Sequence, residues 1–261
     1  MATSFGALCT DFYINQKLAM KLDLPRDRET VLHFFDRMKR SLPEMKKFRR
    51  YEGELALESA RLDARYKWLA LCKNHIRAGQ VNPETMKEAQ EYHKLIMELS
   101  PHFLTLSPLD IDYLEVLFGF DMECDRNHDD VIYEALFGGS PLAELLDGEQ
   151  GKVMDVQPAI GGTLNARGDL QVYYEVKSRQ KSRRGSSKAF RDQPLSVFLT
   201  MRKYGPVEDI RDLGKVFGEL CGYAEQLAMD KLVPHILQPI SQHIMSGGDS
   251  GGDLGGGGMY S

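Results

Sequence analysis

Two periods of apolar and polar residues run along this chain, one of two residues and one near 3.6, and the switches between them mark its elements. Leu18, Met20 and Leu22 alternate with Ala19, Lys21 and Asp23, which predicts a half-buried strand from about Phe12 to Pro25. A helix follows, capped by Asp27, with Val31, Leu32, Phe35, Met38 and Leu42 at helical spacing and Pro43 as its stop. Leu55 and Leu57, then Tyr66, Trp68, Ala70 and Cys72, predict two antiparallel strands joined around residues 60–64. Asn82 as cap and Pro83 at the first helical position open a second helix. Its buried stripe is Met86, Ala89, His93, Ile96 and Leu99, and Ser100-Pro101 ends it. A strand over 109–122 then carries Leu114, Val116, Phe118 and Phe120 on one face.

Strand, helix, strand, strand, helix, strand is the ferredoxin-like βαββαβ order, so the sequence predicts an α+β protein with such a front half. The remainder reads as a second antiparallel part: short helices to Phe137 and Leu146, then strands over 153–164, 170–177 and 195–204. A long helix follows over 207–230, and a last helical piece over 234–245 is broken at Pro239. This divides the chain into a unit over 1–124, a second over 125–245 and a glycine-rich tail over 246–261, expected to be disordered. No internal sequence repeat is visible.

Composition narrows the function classes only a little. Over 261 residues, 42% are hydrophobic and 27% charged, with a net charge of −5, which excludes a bulk polycation. No apolar run is long enough to span a bilayer. The N-terminus carries no basic and apolar leader pattern, and Cys9, Cys72, Cys124 and Cys221 form no CxxC pair. Reduced thiols and a cytoplasmic location are the expectation.

Local charge is more informative than net charge. Between Lys177 and Arg191 the chain holds basic residues and no acidic one, among them Lys181, Arg183, Arg184, Lys188 and Arg191. Flanking strand patterns place this run on a long hairpin loop, where it is a candidate nucleic-acid-binding segment that neutralises phosphates. A second basic run, Arg37, Lys39, Arg40, Lys46, Lys47, Arg49 and Arg50, spans the end of the first helix, where the helix dipole already favours cations. Tyr66 and Trp68, with Phe12 and Tyr13, are the aromatics that a base-stacking sheet would use. The segment Arg65–Leu71, however, lacks the glycine and aromatic spacing of the RNA-recognition signature, so Tyr66 and Trp68 are expected in the core.

Catalytic signals fail on inspection. Asp121, Glu123 and Asp125 are spaced to share one face if their strand persists, and would then hold a divalent metal for a hydrolase. The loop from Asp125 resembles half of a calcium-binding EF-hand, but Asp130 replaces the required glycine and Leu136 the required glutamate. Gly248-Asp249-Ser250-Gly251-Gly252 resembles the trypsin-like nucleophile motif, with no matching histidine segment and no rigid oxyanion cradle. Cys124 and His128 lie four apart, and no nucleotide-binding glycine loop is present. The sequence therefore predicts a non-catalytic interaction or assembly protein with no cofactor and no metal. The partner is a protein or a second copy, met through Ile236, Leu237, Ile240 and Ile244. The alternatives are nucleic-acid binding through residues 177–191 and a metal-dependent hydrolase built on residues 121–130.

Overall fold

The computed structural model describes residues 5–62, 64–146, 153–178 and 193–246. The chain forms β1 (Asp11–Met20), α1 (Arg28–Ser41), β2 (Lys47–Tyr51), β3 (Glu54–Glu58), β4 (Tyr66–Leu71), β5 (His75–Val81) and α2 (Met86–Leu104). It continues through β6 (Ile111–Met122), α3 (His128–Phe137), β7 (Ala159–Thr163), β8 (Leu170–Ser178), β9 (Leu195–Tyr204), α4 (Leu213–Leu227) and α5 (Gln238–Ser246). The strands make one antiparallel sheet in the order β2-β3-β4-β5-β1-β6-β9-β8-β7.

That order reads alike from its centre outward. On one side of the β1–β6 pair lie β5, β4 and β3, and on the other β9, β8 and β7. Each half starts at the centre, passes through a helix, lays down strands from the outside inward, and closes with a helix, α2 or α4. These two closing helices pack on each other. Two halves thus share one connectivity about a pseudo-twofold between β1 and β6, with β2 as an extra strand outside β3. Residues on both sides of 124 share the one sheet.

Alternation decides which face is buried. Phe12, Ile14, Leu18 and Met20 of β1 join Leu57, Leu69, Ile76, Val116, Phe118, Val172, Val197 and Leu199 in the one core cluster under the helices. The helices add Phe34, Phe35, Ile96, Val131, Phe217 and Ile240 to that same cluster, so all of them lie on one side of the sheet. Phe5, Phe12, Phe118 and Phe120 stack at its centre, with Phe12 and Phe118 edge to face at 5.6 Å. Each ring buried there contributes about 1.5–3 kcal/mol.

Several boundaries depart from the sequence-based expectation. β2 and β5 have no counterpart in the apolar pattern: β2 is exposed at every residue, and in β5 a buried Gln80 takes the core-facing place after Ile76 and Ala78. Asn82 does not cap α2. Its backbone turns left-handed (φ 48°), while its side chain accepts from Phe12 N–H at 2.9 Å and donates to Asp11 at 2.6 Å. Thr85 caps the helix instead, accepting from Glu88 N–H at 3.0 Å. Pro101 sits inside α2, and the Ser100 hydroxyl donates to the Ile96 carbonyl at 2.6 Å. α4 runs into a π-helical stretch (Ala228–Leu237) containing Pro234, so the change of pitch falls there and not at Pro239. Leu237 and Ile240 are fully buried, and Ile236 and Ile244 pack half-buried against the same core. The stripe expected to meet a partner is spent inside the molecule. The glycine-rich tail beyond Ser246 lies outside the described residues.

Candidate functional site

The sheet face opposite the helices is paved with rings. Among the described residues no helix covers it. β1 contributes Tyr13, β4 Tyr66 and Trp68, β6 Tyr113, β8 Tyr173, and β9 Phe198 and Tyr204, all at positions that alternate with core residues. Glycines set how some of these rings lie. A Cβ on Gly79 would collide with the Trp68 indole, and one on Gly119 with the Tyr13 ring. A Cβ on Gly161 would meet the Tyr173 ring at 2.9 Å. Each glycine is the cross-strand partner of the aromatic that covers it, so the rings lie down over the sheet.

At the middle of this face is a depression of about 520 Å3, walled by Tyr13, Tyr66, Trp68 and Phe198 and rimmed by Asp11, Asn15, Arg61 and Asp121. Tyr13 and Phe198 meet at 6.5 Å across it. Arg61 lies over the Tyr66 ring at 4.4 Å, a cation–π contact. Asp11 and Asp121 stand directly opposite each other on β1 and β6. Their mutual repulsion is relieved by hydrogen bonds: Asn82 donates to Asp11 at 2.6 Å, and Ser196 to Asp121 at 2.6 Å. Burial, reinforced by Asp11 and Asp121, pushes the neighbouring Cys9 thiol up to about 12, the direction opposite to that of an activated thiolate.

The other charges of this face are mostly matched. Glu54 pairs with Arg77, Glu115 with Arg202 and Glu175 with Lys177. Arg202 also lies over Tyr113 at 4.7 Å and Tyr173 at 5.4 Å. Lys17, Lys47, Arg49 and Arg61 have no ion-pair partner among the described residues. Lys47 and Arg49 face this side because they pair with Glu58 and Ala56.

The basic residues singled out from the sequence, Lys181, Arg183, Arg184, Lys188 and Arg191, lie outside the described residues. Their attachment points do not: Ser178 and Leu195 pair at one end of β8 and β9, and Leu195 pairs with Met122, next to Asp121. The second basic run is divided. Lys47 and Arg49 belong to the ring-paved face, whereas Arg50 lines a hollow of about 620 Å3 beside the start of α1 with Arg26, Arg28, Phe48 and Glu52. Arg26 is used there to hold the Gly53 carbonyl at 3.2 Å.

The acidic segment does not converge. β6 ends at Met122, so the spacing of two is lost before Glu123 and Asp125, and Asp121 is engaged by Ser196. Asp129 accepts from Val156 N–H at 3.1 Å, and burial raises its carboxyl. Among the described residues no three metal-ligating side chains cluster. Cys124 turns its Sγ to the Arg126 carbonyl, and burial pushes its thiol up, opposite to what a nucleophile needs. All four cysteines are free.

Tyr66 and Trp68 are therefore surface-facing rather than core residues, while Phe12 is buried in the core. The signal for this was Gly79 and Gly119, which identify the covered face once the register is known. No helix among the described residues is long and apolar enough to cross a membrane. No protein-family model and no curated protein matches the sequence.

Proposed function

We propose that this chain is a non-catalytic cytoplasmic binding protein that takes a single-stranded nucleic acid on the helix-free face of its sheet. The observation that carries this reading is the set of rings laid over glycines, Trp68 on Gly79 and Tyr13 on Gly119, beside a depression large enough for a base. A ring that lies down offers its π-face outward, and unpaired bases stack on such faces at about 1–3 kcal/mol each. Asp11, Asp121 and Asn15 are acceptors on the rim for exocyclic amino groups of a stacked base. Lys47 and Arg49, together with Arg183, Arg184 and Lys188 of the basic run, are the groups assigned to phosphates. The carboxylates that would repel phosphate are largely tied to Arg77, Arg202 and Lys177. On this reading β1, α1, β4, β5, α2 and β6 carry a ferredoxin-like connectivity into which the β2–β3 hairpin is inserted.

Anisotropy of labelled single-stranded RNA, single-stranded DNA and duplex DNA, titrated from low to physiological salt, tests the assignment. Single strands bind more tightly than duplex. Tyr66→Ala weakens them by roughly 5- to 150-fold, because it removes one aromatic wall of the depression together with the ring on which Arg61 rests. Replacing Arg183, Arg184 and Lys188 with alanine lowers the salt slope by about one unit for each phosphate no longer neutralised. Equal binding of duplex and single strands by the Tyr66→Ala variant and the native chain would remove the ring-paved face from the site.

The second reading, an assembly protein that binds another protein chain, is favoured by a separate observation at the end of the sheet.

A further inference from the structure

The two edges of the sheet are built differently. β2 is protected: Lys47, Arg49 and Arg50 are charged, and like charges on an edge strand discourage a second strand from adding. β7, Ala159-Ile160-Gly161-Gly162-Thr163, carries no charge and no proline and is exposed at all five positions. By the pseudo-twofold, β7 stands where β3 stands in the first half. The outer side of β3 is filled by β2, and among the described residues nothing fills the equivalent place beside β7.

The hydrogen-bond phase of β7 defines what that place accepts. Leu164 N–H donates to the Leu170 carbonyl at 2.8 Å, and Val176 N–H to the Pro158 carbonyl at 3.0 Å. These bonds fix the Pro158 carbonyl, and both backbone polar groups of Ile160, Gly162 and Leu164, as facing β8. Ala159, Gly161 and Thr163 therefore turn their N–H and C=O groups outward, away from the sheet. Around the edge, Met154 (75%), Ile160 (67%) and Leu164 (42%) leave large apolar side chains exposed.

We propose that β7 is a self-association edge, at which a second copy of this chain adds its own β7 antiparallel across a twofold axis. Centring the axis on Gly161 pairs Gly161 with Gly161, Ala159 with Thr163 and Thr163 with Ala159. Those are the outward-facing residues, so every outward donor of one strand meets an outward acceptor of the other. Ile160 falls opposite Gly162, which leaves room for its side chain. No like charges oppose each other, whereas the same pairing of two β2 strands would oppose their cations. The self-complementary register and the uncharged edge single out a second copy as the occupant. Two nine-stranded sheets then become one continuous sheet.

Sedimentation equilibrium of the full chain, run over a range of concentrations, reads the association directly. The native chain approaches twice the monomer mass as concentration rises. Thr163→Pro removes one outward N–H without touching the β8 ladder and abolishes the dimer. Ile160→Lys, at an exposed position, brings two cations onto the shared edge and shifts the equilibrium at least tenfold toward monomer, with the melting temperature unchanged at dilutions where the native chain is itself monomeric. Register is read by mixed oxidation: Ala159→Cys and Thr163→Cys proteins form a disulfide-linked dimer when combined, beyond the level given by either alone or by the native chain. A native chain that stays monomeric at the highest concentration overturns the proposal, as does a dimer that survives Ile160→Lys and Thr163→Pro.

Discussion

At the scale of single residues, Gly79 and Gly119 hold space for a neighbour rather than a backbone conformation. Both are absent from the positive-φ positions, and both lie under a ring that a methyl group would strike. Gly79→Ala and Gly119→Ala are each expected to cost about 1–3 kcal/mol, because the indole or phenol must lift from the sheet. Urea denaturation checks the loss, and for Gly79→Ala a change in Trp68 emission reports the displaced ring. Unchanged stability and emission would mean that the ring does not rest there. His93 makes a second residue-scale prediction. It is fully buried, its Nε2 lies 3.1 Å from the Ile14 carbonyl, and burial lowers its pKa to about 3. The unfolded chain takes up this proton near 6.5 and the folded chain does not, so His93 leaves stability intact above about pH 6.5. As pH falls from there toward 3, about 1.4 kcal/mol is lost per unit. Unfolding midpoints between about pH 7 and 4 should therefore fall more steeply for the native chain than for His93→Phe, and parallel curves would contradict the assignment.

At the scale of elements, the sequence is legible where a strand or helix has one wet and one dry face. β1, α1, α2 and β6 follow that rule, and Asp27 caps α1 as expected, accepting from Thr30 N–H at 2.9 Å. β2 and β5 break it. β2 remains exposed along its length, with Phe48 meeting a core ring, Phe35 of α1, at 5.6 Å, so its pattern reads as a basic run, and β5 places Gly79 where Trp68 needs room. The start of α2 shows how a correct signal is assigned to the wrong residue. Asn82 has the chemistry of a cap, yet its side chain serves β1 by bonding Phe12 N–H and Asp11, which leaves Thr85 to cap the helix. Thr85→Ala should destabilise the protein by about 1 kcal/mol, seen as a lower urea midpoint with an unchanged slope. A change of less than a few tenths would return the cap to another group.

At the scale of the whole molecule, the α+β class was legible and the single sheet was not. Pairing of β6 with β9 joins the unit expected over 1–124 to the one expected over 125–245 across more than seventy positions in sequence, and no local pattern carries that information. The ring-paved face was hidden for the same reason. Tyr66 and Trp68 alternate as core residues do, and only their registration against Val81 and Gly79 places them opposite the helices. Likewise, the basic run was legible in the sequence, while the pairing of the strand end that follows it, Leu195 with Met122 beside Asp121, was not. The shared connectivity of the halves has no sequence counterpart, since the topology is kept by burial patterns that many residues satisfy.

The chain has one tryptophan, Trp68, and it borders the proposed site, so its own emission tests the central claim without a label. Titrating the full chain with an unlabelled single-stranded oligonucleotide at low salt should quench Trp68 progressively to saturation. Salt should reverse the quenching, and Tyr66→Ala should weaken it. Emission that stays unchanged while a labelled oligonucleotide binds would place the nucleic acid elsewhere on the molecule. Absence of both signals at low salt would contradict the nucleic-acid reading altogether.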